Sequence, residues 1–230
     1  MTERAARHLH VDSPALVTPR PAQVDMPVSE AVMSACRAAS IRIDTVNVRH
    51  LGITSALRGE GRTMIAIAIA SVHRNDFGRA VVLVDFDLES PTLARRLGAS
   101  PVPGLCEVIR GEASLTDAVQ TIGDGVSFIP AGVMSGSSAR TVTEAGKSGL
   151  VASIERQAGM VVADLPPLLG SESGRSAAAL FGDLLLVVRA GVTPVARVKE
   201  ATVNLPVEPS VLLNGTHSPL PGWARRLLGS

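Results

Sequence analysis

Tyrosine is absent from this chain of 230 residues, and aromatic residues make up only 2% of it, as four phenylalanines and one tryptophan. A core must therefore be built from Val, Leu, Ile and Ala, the composition of buried parallel strands flanked by helices. No basic stripe interleaved with aromatics is present, so nucleic acid is not an expected partner. Charge is nearly balanced, with 22 Lys+Arg against 21 Asp+Glu and a formal net charge of +1. Bulk charge thus implies no polyelectrolyte partner. Cysteine is limited to Cys36 and Cys106, too few for a disulfide framework. Both read as small core residues in a protein of the reducing cytoplasm. No apolar run reaches the roughly 18–20 residues of a membrane span. The first residues carry Glu3, Arg4, Arg7, His8 and His10 with no apolar stretch behind them, which is not the pattern of a secretory signal. His8, His10, His50, His73 and His217 show no ligand spacing, so no metal-binding histidine is expected.

What is present suits one domain with a sizeable core, since 46% of the residues are hydrophobic. Residues 1–28 are polar and broken by Pro14, Pro19, Pro21 and Pro27, which predicts a flexible tail ahead of a single domain over 29–230. A helix is expected from Val28 to about Ser40 with Ser29 as N-cap. Strands are expected at 51–55, 80–85, 126–130, 159–164, 183–188 and 210–214. Helices are expected at 64–73, 105–109, 115–119, 150–157 and about 194–204, and a mobile Gly/Ser-rich loop over 131–148. Alternating strands and helices predict an α/β fold of three layers, a mostly parallel sheet with helices on both faces.

The most informative stretch runs from Ala56 to Thr63, reading Ala-Leu-Arg-Gly-Glu-Gly-Arg-Thr. In the phosphate-binding pattern G-x-x-x-x-G-K-[ST], glycines let backbone N–H groups turn toward a phosphate. The lysine reaches the β/γ-phosphates and the hydroxyl holds Mg²⁺. Gly59, Gly61 and Thr63 fit, Ala56 replaces the first glycine, and Arg62 replaces the lysine. A short apolar strand precedes the loop and an apolar helix from Met64 follows it, so a helix N-terminus is aimed at the phosphates. The competing dinucleotide pattern G-x-G-x-x-G would place its third glycine at Met64, too large for close helix–strand packing. Three aspartates stand at strand ends: Asp85 and Asp87 after 81–84, and Asp164 after 160–163. Ligands of open α/β sheets bind there, and such a carboxylate can hold the Mg²⁺ that bridges phosphates. Asp87 reads equally well as a cap for the following helix.

Residues 53–63, with 82–91 (Val-Leu-Val-Asp-Phe-Asp-Leu-Glu-Ser-Pro), 103–115, 161–167 (Val-Val-Ala-Asp-Leu-Pro-Pro), 186–194 and 212–215, appear in an order that resembles one family. These are the bacterial tyrosine kinases of capsule and exopolysaccharide synthesis, a branch of the MinD/ParA-type P-loop ATPases. The resemblance runs from about residue 28 to the C-terminus. It implies ATP and Mg²⁺ as cofactors, with Gly59, Glu60, Gly61, Arg62, Thr63 and Met64 at the nucleotide and Asn214 near its base. It implies Thr63, Asp85 and Asp164 at the metal, and Asp85, Asp87 and Asp164 as the catalytic carboxylates. It also implies a membrane partner of the polysaccharide co-polymerase, or chain-length-determinant, type, and a location at the inner face of the membrane through that partner.

Departures from the family set the expected function. The family's oligomerisation motif, a glutamate followed by two arginines at three-residue steps, falls on Glu30, Met33 and Cys36, so both ring arginines are missing. Glu89 and Ser90 stand where basic residues are usual. The family phosphorylates tyrosines in its own C-terminal tail, which this chain does not have. The chain is therefore expected to be a degenerate kinase-like regulator that binds ATP-Mg with little or no tyrosine autokinase activity. The alternatives are an active ATPase or kinase acting in trans, and a MinD/ParA-type nucleotide switch. Trp223 to Leu228, with Arg225 and Arg226, is expected to be a last turn packed on the domain.

Overall fold

Residues 28–123 and 125–215 are described by a computed structural model. The tail expected over 1–28 (all but Val28) and the turn expected at Trp223–Leu228 lie outside the described residues. The elements, in chain order, are α1 (Glu30–Thr45), β1 (His50–Ser55), α2 (Arg62–Asn75), β2 (Val81–Asp85), α3 (Leu93–Leu97), α4 (Leu105–Ile109), α5 (Leu115–Ala118), β3 (Gln120–Ile122), β4 (Val126–Ile129), α6 (Ser138–Lys147), α7 (Leu150–Gln157), β5 (Met160–Asp164), α8 (Gly174–Ala178), β6 (Asp183–Arg189), α9 (Val195–Thr202) and β7 (Ser210–Asn214). The strands form one sheet in the order β3-β4-β2-β5-β1-β6-β7. Every neighbouring pair is parallel except β3 with β4.

The central strands are apolar without alternation because both of their faces are covered. Val82, Val84, Val161, Ala163, Leu184 and Leu186 belong to one core with Phe86, Phe181 and residues of α4, α6, α7 and α8. Val81, Leu83, Met160, Val162, Leu185 and Val187 belong to the other, with residues of α1, α2 and α3. Helix α2 is buried along nearly its whole length from Ile65 to His73, as a helix between a sheet and α1 must be. Phe86 packs edge-on against Phe181, with centroids 5.6 Å apart, and with Phe128 these two phenylalanines are buried in the core. Cys36 and Cys106 are free and buried, and burial pushes both thiols up to about 11, which fits core filling.

The expected loop over 131–148 is corrected in part: Ser138–Lys147 is helix α6. Ser137 accepts a hydrogen bond from the Arg140 amide at 3.4 Å as its N-cap, and Ser138, Val142 and Ala145 form its buried stripe. Small residues at helical spacing hid that stripe in a Gly/Ser-rich stretch. The first helix runs on to Thr45, five residues past its expected end, with Ser29 as its cap. Three short elements were not expected: α3, β3 and α8. Each is five residues or fewer, too short for a periodic signal.

The topology creates a crevice. From β1 the chain passes through α2 to β2, on the far side of β5. From β5 it passes through α8 to β6, on the opposite side of β1. Connections thus leave in opposite directions beside the carboxyl end of β1, which is where open α/β sheets bind ligands.

Candidate functional site

The loop between β1 and α2 lies in that crevice. Gly59 and Gly61 have φ of 84° and 95°, values that glycine adopts without a Cβ penalty. Gly61 is the N-cap of α2, so the amides of Arg62, Thr63 and Met64 belong to the helix end that lacks intrahelical acceptors. Ala56, at the place of the pattern's first glycine, is fully buried. Its carbonyl and that of Ser55 accept the Leu169 and Leu168 amides at 3.1 and 2.8 Å, which ties the loop's start to the segment after β5.

Glu60 braces the loop. It is only 3% exposed, with its carboxylate turned inward. One oxygen accepts the Leu57 amide at 2.7 Å, and the other accepts the Arg189 amide at 3.2 Å and the Thr193 hydroxyl. Its backbone carbonyl accepts the Asn214 amide group at 2.8 Å. Glu60 and Asn214, expected at the nucleotide, therefore hold the loop to the ends of β6 and β7. No local pattern shows this, because the partners stand 129 to 154 residues away in sequence.

The register of β2 on β5 sets Asp85 directly beside Asp164, and Asp164 in turn pairs with Ile53 of β1. Asp85, Asp87 and Asp164 are each 1% exposed. Asp85 accepts the amides of Asp87 at 3.2 Å and Leu93 at 3.1 Å. It is therefore Asp85 that holds the first amide of α3, the helix that Asp87 was read as capping. Asp87 accepts the Ser90 amide at 3.2 Å through one oxygen, and through the other it pairs with Arg62 and, at 3.4 Å, with Arg58. Thr63 bonds the Asp164 carboxylate through its hydroxyl. The remaining oxygen of Asp164, Oδ1, is buried with no hydrogen-bond partner among the described residues, and so is Arg62 Nε, 3.5 Å away.

Burial dominates the electrostatics. It pushes Asp85 well above the usual carboxylate range, with Asp164 adding to the effect. It pushes Asp164 up to about 6, against the opposing pull of Arg62 and Thr63. It also raises Asp87, opposed by Arg62 and Arg58. The Arg62 guanidinium, in a residue 8% exposed, is the buried positive charge among these carboxylates.

Sequence reasoning missed Glu89 as a hub. Burial raises its pKa, but hydrogen bonds outweigh that and leave it lowered. Its Oε1 accepts the hydroxyls of Ser171 at 2.7 Å, Ser173 at 2.9 Å and Ser138 at 3.0 Å. Arg58 lies 3.5 Å from its other oxygen. The segment after β2 is thereby joined to the start of α6 and to the loop before α8. Serines clustered at 171 and 173 were the available signal.

No family model matches the chain. Among curated proteins it is similar to EpsB of Ralstonia solanacearum, assigned as a tyrosine-protein kinase, at 24% identity over 79% of this chain and 24% of EpsB. It is 28% identical to the tyrosine-protein kinase YwqD of Bacillus subtilis over 67% of this chain and 66% of YwqD. It is also 28% identical to the succinoglycan biosynthesis transport protein ExoP of Rhizobium meliloti, over 73% of this chain and 22% of ExoP. The kinase domain of VpsO superposes with a TM-score of 0.72 at 27% identity, covering 81% of this chain and 95% of that one. The chain is thus similar to proteins named as bacterial tyrosine kinases over two thirds or more of its length. It spans about a quarter of the length of EpsB and of ExoP. Its architecture is that of the P-loop NTPases. The kinase domain of Escherichia coli ETK has the same fold, with a TM-score of 0.78 at 21% identity, covering 89% of this chain and 85% of that one.

The residues can be tested against the cofactors this fold implies. A phosphate fits: two left-handed glycines and the N-terminus of a 14-residue helix face the crevice. A divalent cation does not fit beside Arg62 as it stands. Of the six oxygens on Asp85, Asp87 and Asp164, only Asp164 Oδ1 has no hydrogen-bond partner, and Arg62 faces it. Among the described residues, no group of three His, Cys, Asp or Glu side chains is placed to hold a metal ion.

Proposed function

We propose that this chain is a degenerate, kinase-like P-loop regulator of exopolysaccharide or capsule production, which binds an adenine nucleotide and has little or no tyrosine autokinase activity. The observation that carries the reading is the glycine loop. It caps α2 at the carboxyl end of β1, beside two strand-end carboxylates in register. The production of a surface polysaccharide is suggested by the names of relatives such as ExoP. In this reading, backbone amides of residues 59–64 bind the phosphates and Asn214 holds the loop under the base. Thr63, Asp85 and Asp164 are the positions that the resemblance assigns to Mg²⁺, and in this chain the Arg62 guanidinium stands beside Asp164 among them. Asp85, Asp87 and Asp164 would be the catalytic carboxylates of any remaining turnover.

Arg62 argues against efficient phosphoryl transfer. Its planar fork is bonded to Asp87 and faces Asp164, and is not poised as a compact point charge on a phosphate. Misplacing such a charge typically costs about 10²–10³ in rate. The absence of tyrosine makes tyrosine autophosphorylation of this chain chemically impossible. Among the described residues no helix is long and apolar enough to cross a membrane. In this reading a co-polymerase partner brings the chain to the inner membrane face.

Calorimetric titration with ATP and ADP tests the reading, on the wild type and on Arg62→Lys. Micromolar binding by the wild type is the expected result. Absence of binding by both proteins overturns the nucleotide assignment. Mg²⁺-dependent ATP turnover that Asp85→Asn abolishes would instead establish an active enzyme and overturn the degenerate assignment.

A further inference from the structure

Arg62 is the first residue of α2, so its backbone is part of the phosphate-binding helix end, while its side chain lies against β2 and β5. The guanidinium pairs with Asp87 and lies 3.5 Å from Asp164. These two carboxylates come from different strand ends, and both are essentially inaccessible to solvent. Arg58 adds a second positive charge to Asp87 from the solvent side. A lysine carries its charge at a single tip and cannot span two carboxylates as a planar fork does.

We propose that Arg62 is the resident cation of this site, and that its guanidinium and a divalent metal ion exclude one another there. The inference rests on the nucleotide reading of the loop and deepens it. A divalent ion such as Mg²⁺ requires several oxygens at about 2.0–2.1 Å in near-octahedral array. Here the oxygen without a hydrogen bond, Asp164 Oδ1, faces Arg62 Nε, and the remaining carboxylate oxygens accept amides, a hydroxyl or guanidinium groups. With Arg62 Nε 3.5 Å from Asp164 Oδ1, a metal ion bound to that oxygen at about 2.1 Å would lie within about 6 Å of a positive charge held in a buried site, where like charges repel. Arg62 supplies the positive charge that keeps the buried carboxylates tolerable. The wild-type chain therefore gains no affinity for nucleotide from Mg²⁺.

Two measurements test this. In the first, Mn²⁺ serves as a paramagnetic stand-in for Mg²⁺ and is titrated into the chain without nucleotide, with free Mn²⁺ read by electron paramagnetic resonance. Arg62→Met keeps the stem and removes the charge, and is expected to bind Mn²⁺ at least about tenfold more tightly than the wild type. Adding Asp164→Asn to that variant is expected to abolish the gain. Equal Mn²⁺ binding by wild type and Arg62→Met overturns the proposal. So does an Arg62→Met protein with wild-type circular dichroism and no Mn²⁺ uptake. If Arg62→Met does not fold, Arg62→Gln, which also removes the charge, carries the test on the same terms.

In the second, ADP is titrated with Mg²⁺ or with EDTA. The wild-type affinity is expected to differ by less than about threefold between the two, and that of Arg62→Lys to rise about tenfold with Mg²⁺. A wild type that Mg²⁺ tightens as much as the variant overturns the proposal. ADP binding by none of the proteins would overturn the nucleotide reading, and the Mn²⁺ titration would still decide whether Arg62 excludes the metal.

Discussion

Replacing Glu60 by alanine should destabilise this protein far more than its place in a surface loop suggests. The side chain is 3% exposed, and its two oxygens serve three donors: the Leu57 amide, the Arg189 amide and the Thr193 hydroxyl. Hydrogen bonds to a charged partner contribute about 1.5–3 kcal/mol each, and donors left buried and unpaired cost about 1–3 kcal/mol. Three bonds at the low end, partly offset by no longer burying a carboxylate, give roughly 4 kcal/mol. For a domain of this size, 1 kcal/mol shifts Tm by about 2–4 °C, so a fall on the order of 10 °C is expected. Urea unfolding followed by far-UV circular dichroism measures the loss. Glu60→Gln retains one acceptor and turns an NH₂ toward a donor, so it should fall between the two, about 2 kcal/mol below wild type. Amide hydrogen exchange at Leu57 and Arg189 should accelerate in both variants. An alanine variant within about 0.5 kcal/mol of wild type, the range of ordinary surface substitutions, would refute the bracing role. Glu60 would then have to be assigned to ligand contact alone.

Two other positions give independent checks. Gly52 in β1 lies under Leu165, Leu184 and Phe181, whose atoms would stand 2.7, 2.9 and 3.1 Å from an added Cβ. Gly52→Ala should overpack this core and lower stability by about 1–3 kcal/mol in the same urea assay, and unchanged stability would contradict the packing. His73 is fully buried and stacked on Phe77, with neither ring nitrogen bonded among the described residues. Burial, helped by Arg79, lowers its pKa from 6.5 to about 4. Between these values the unfolded chain binds more protons than the folded one, so this residue's contribution to stability falls as pH drops from 6.5 toward 4. In all it loses about 3 kcal/mol, which His73→Phe should remove from the pH profile. An imidazole resonance titrating at or above pH 6 would refute it.

Much of this architecture was legible in the chain itself. Apolar runs such as 81–84 and 160–163 name strands buried on both faces, because only a sheet covered by helices can hide every side chain. The loop at 56–63 could be read because its chemistry is local: glycines for backbone turns, a hydroxyl, and a helix directly behind. The spacing of Ser29 before an amphipathic stretch likewise marked the start of α1. Helix α6 was obscured because Ser138 and Ala145 contribute little hydrophobicity, and its stripe becomes apolar only against the partners that cover it.

The roles of the charged residues were decided by tertiary structure. Composition and motif determined that Arg62 stands where a lysine is expected, and that Asp85, Asp87 and Asp164 end strands. They did not determine that the arginine turns to Asp87 and Asp164, that Asp85 spends its oxygens on the amides of Asp87 and Leu93, or that Glu60 faces inward. The reason is physical. A buried charge is tolerated only when partners surround it, and several of these partners come from strands that are neighbours in the sheet and distant in the sequence.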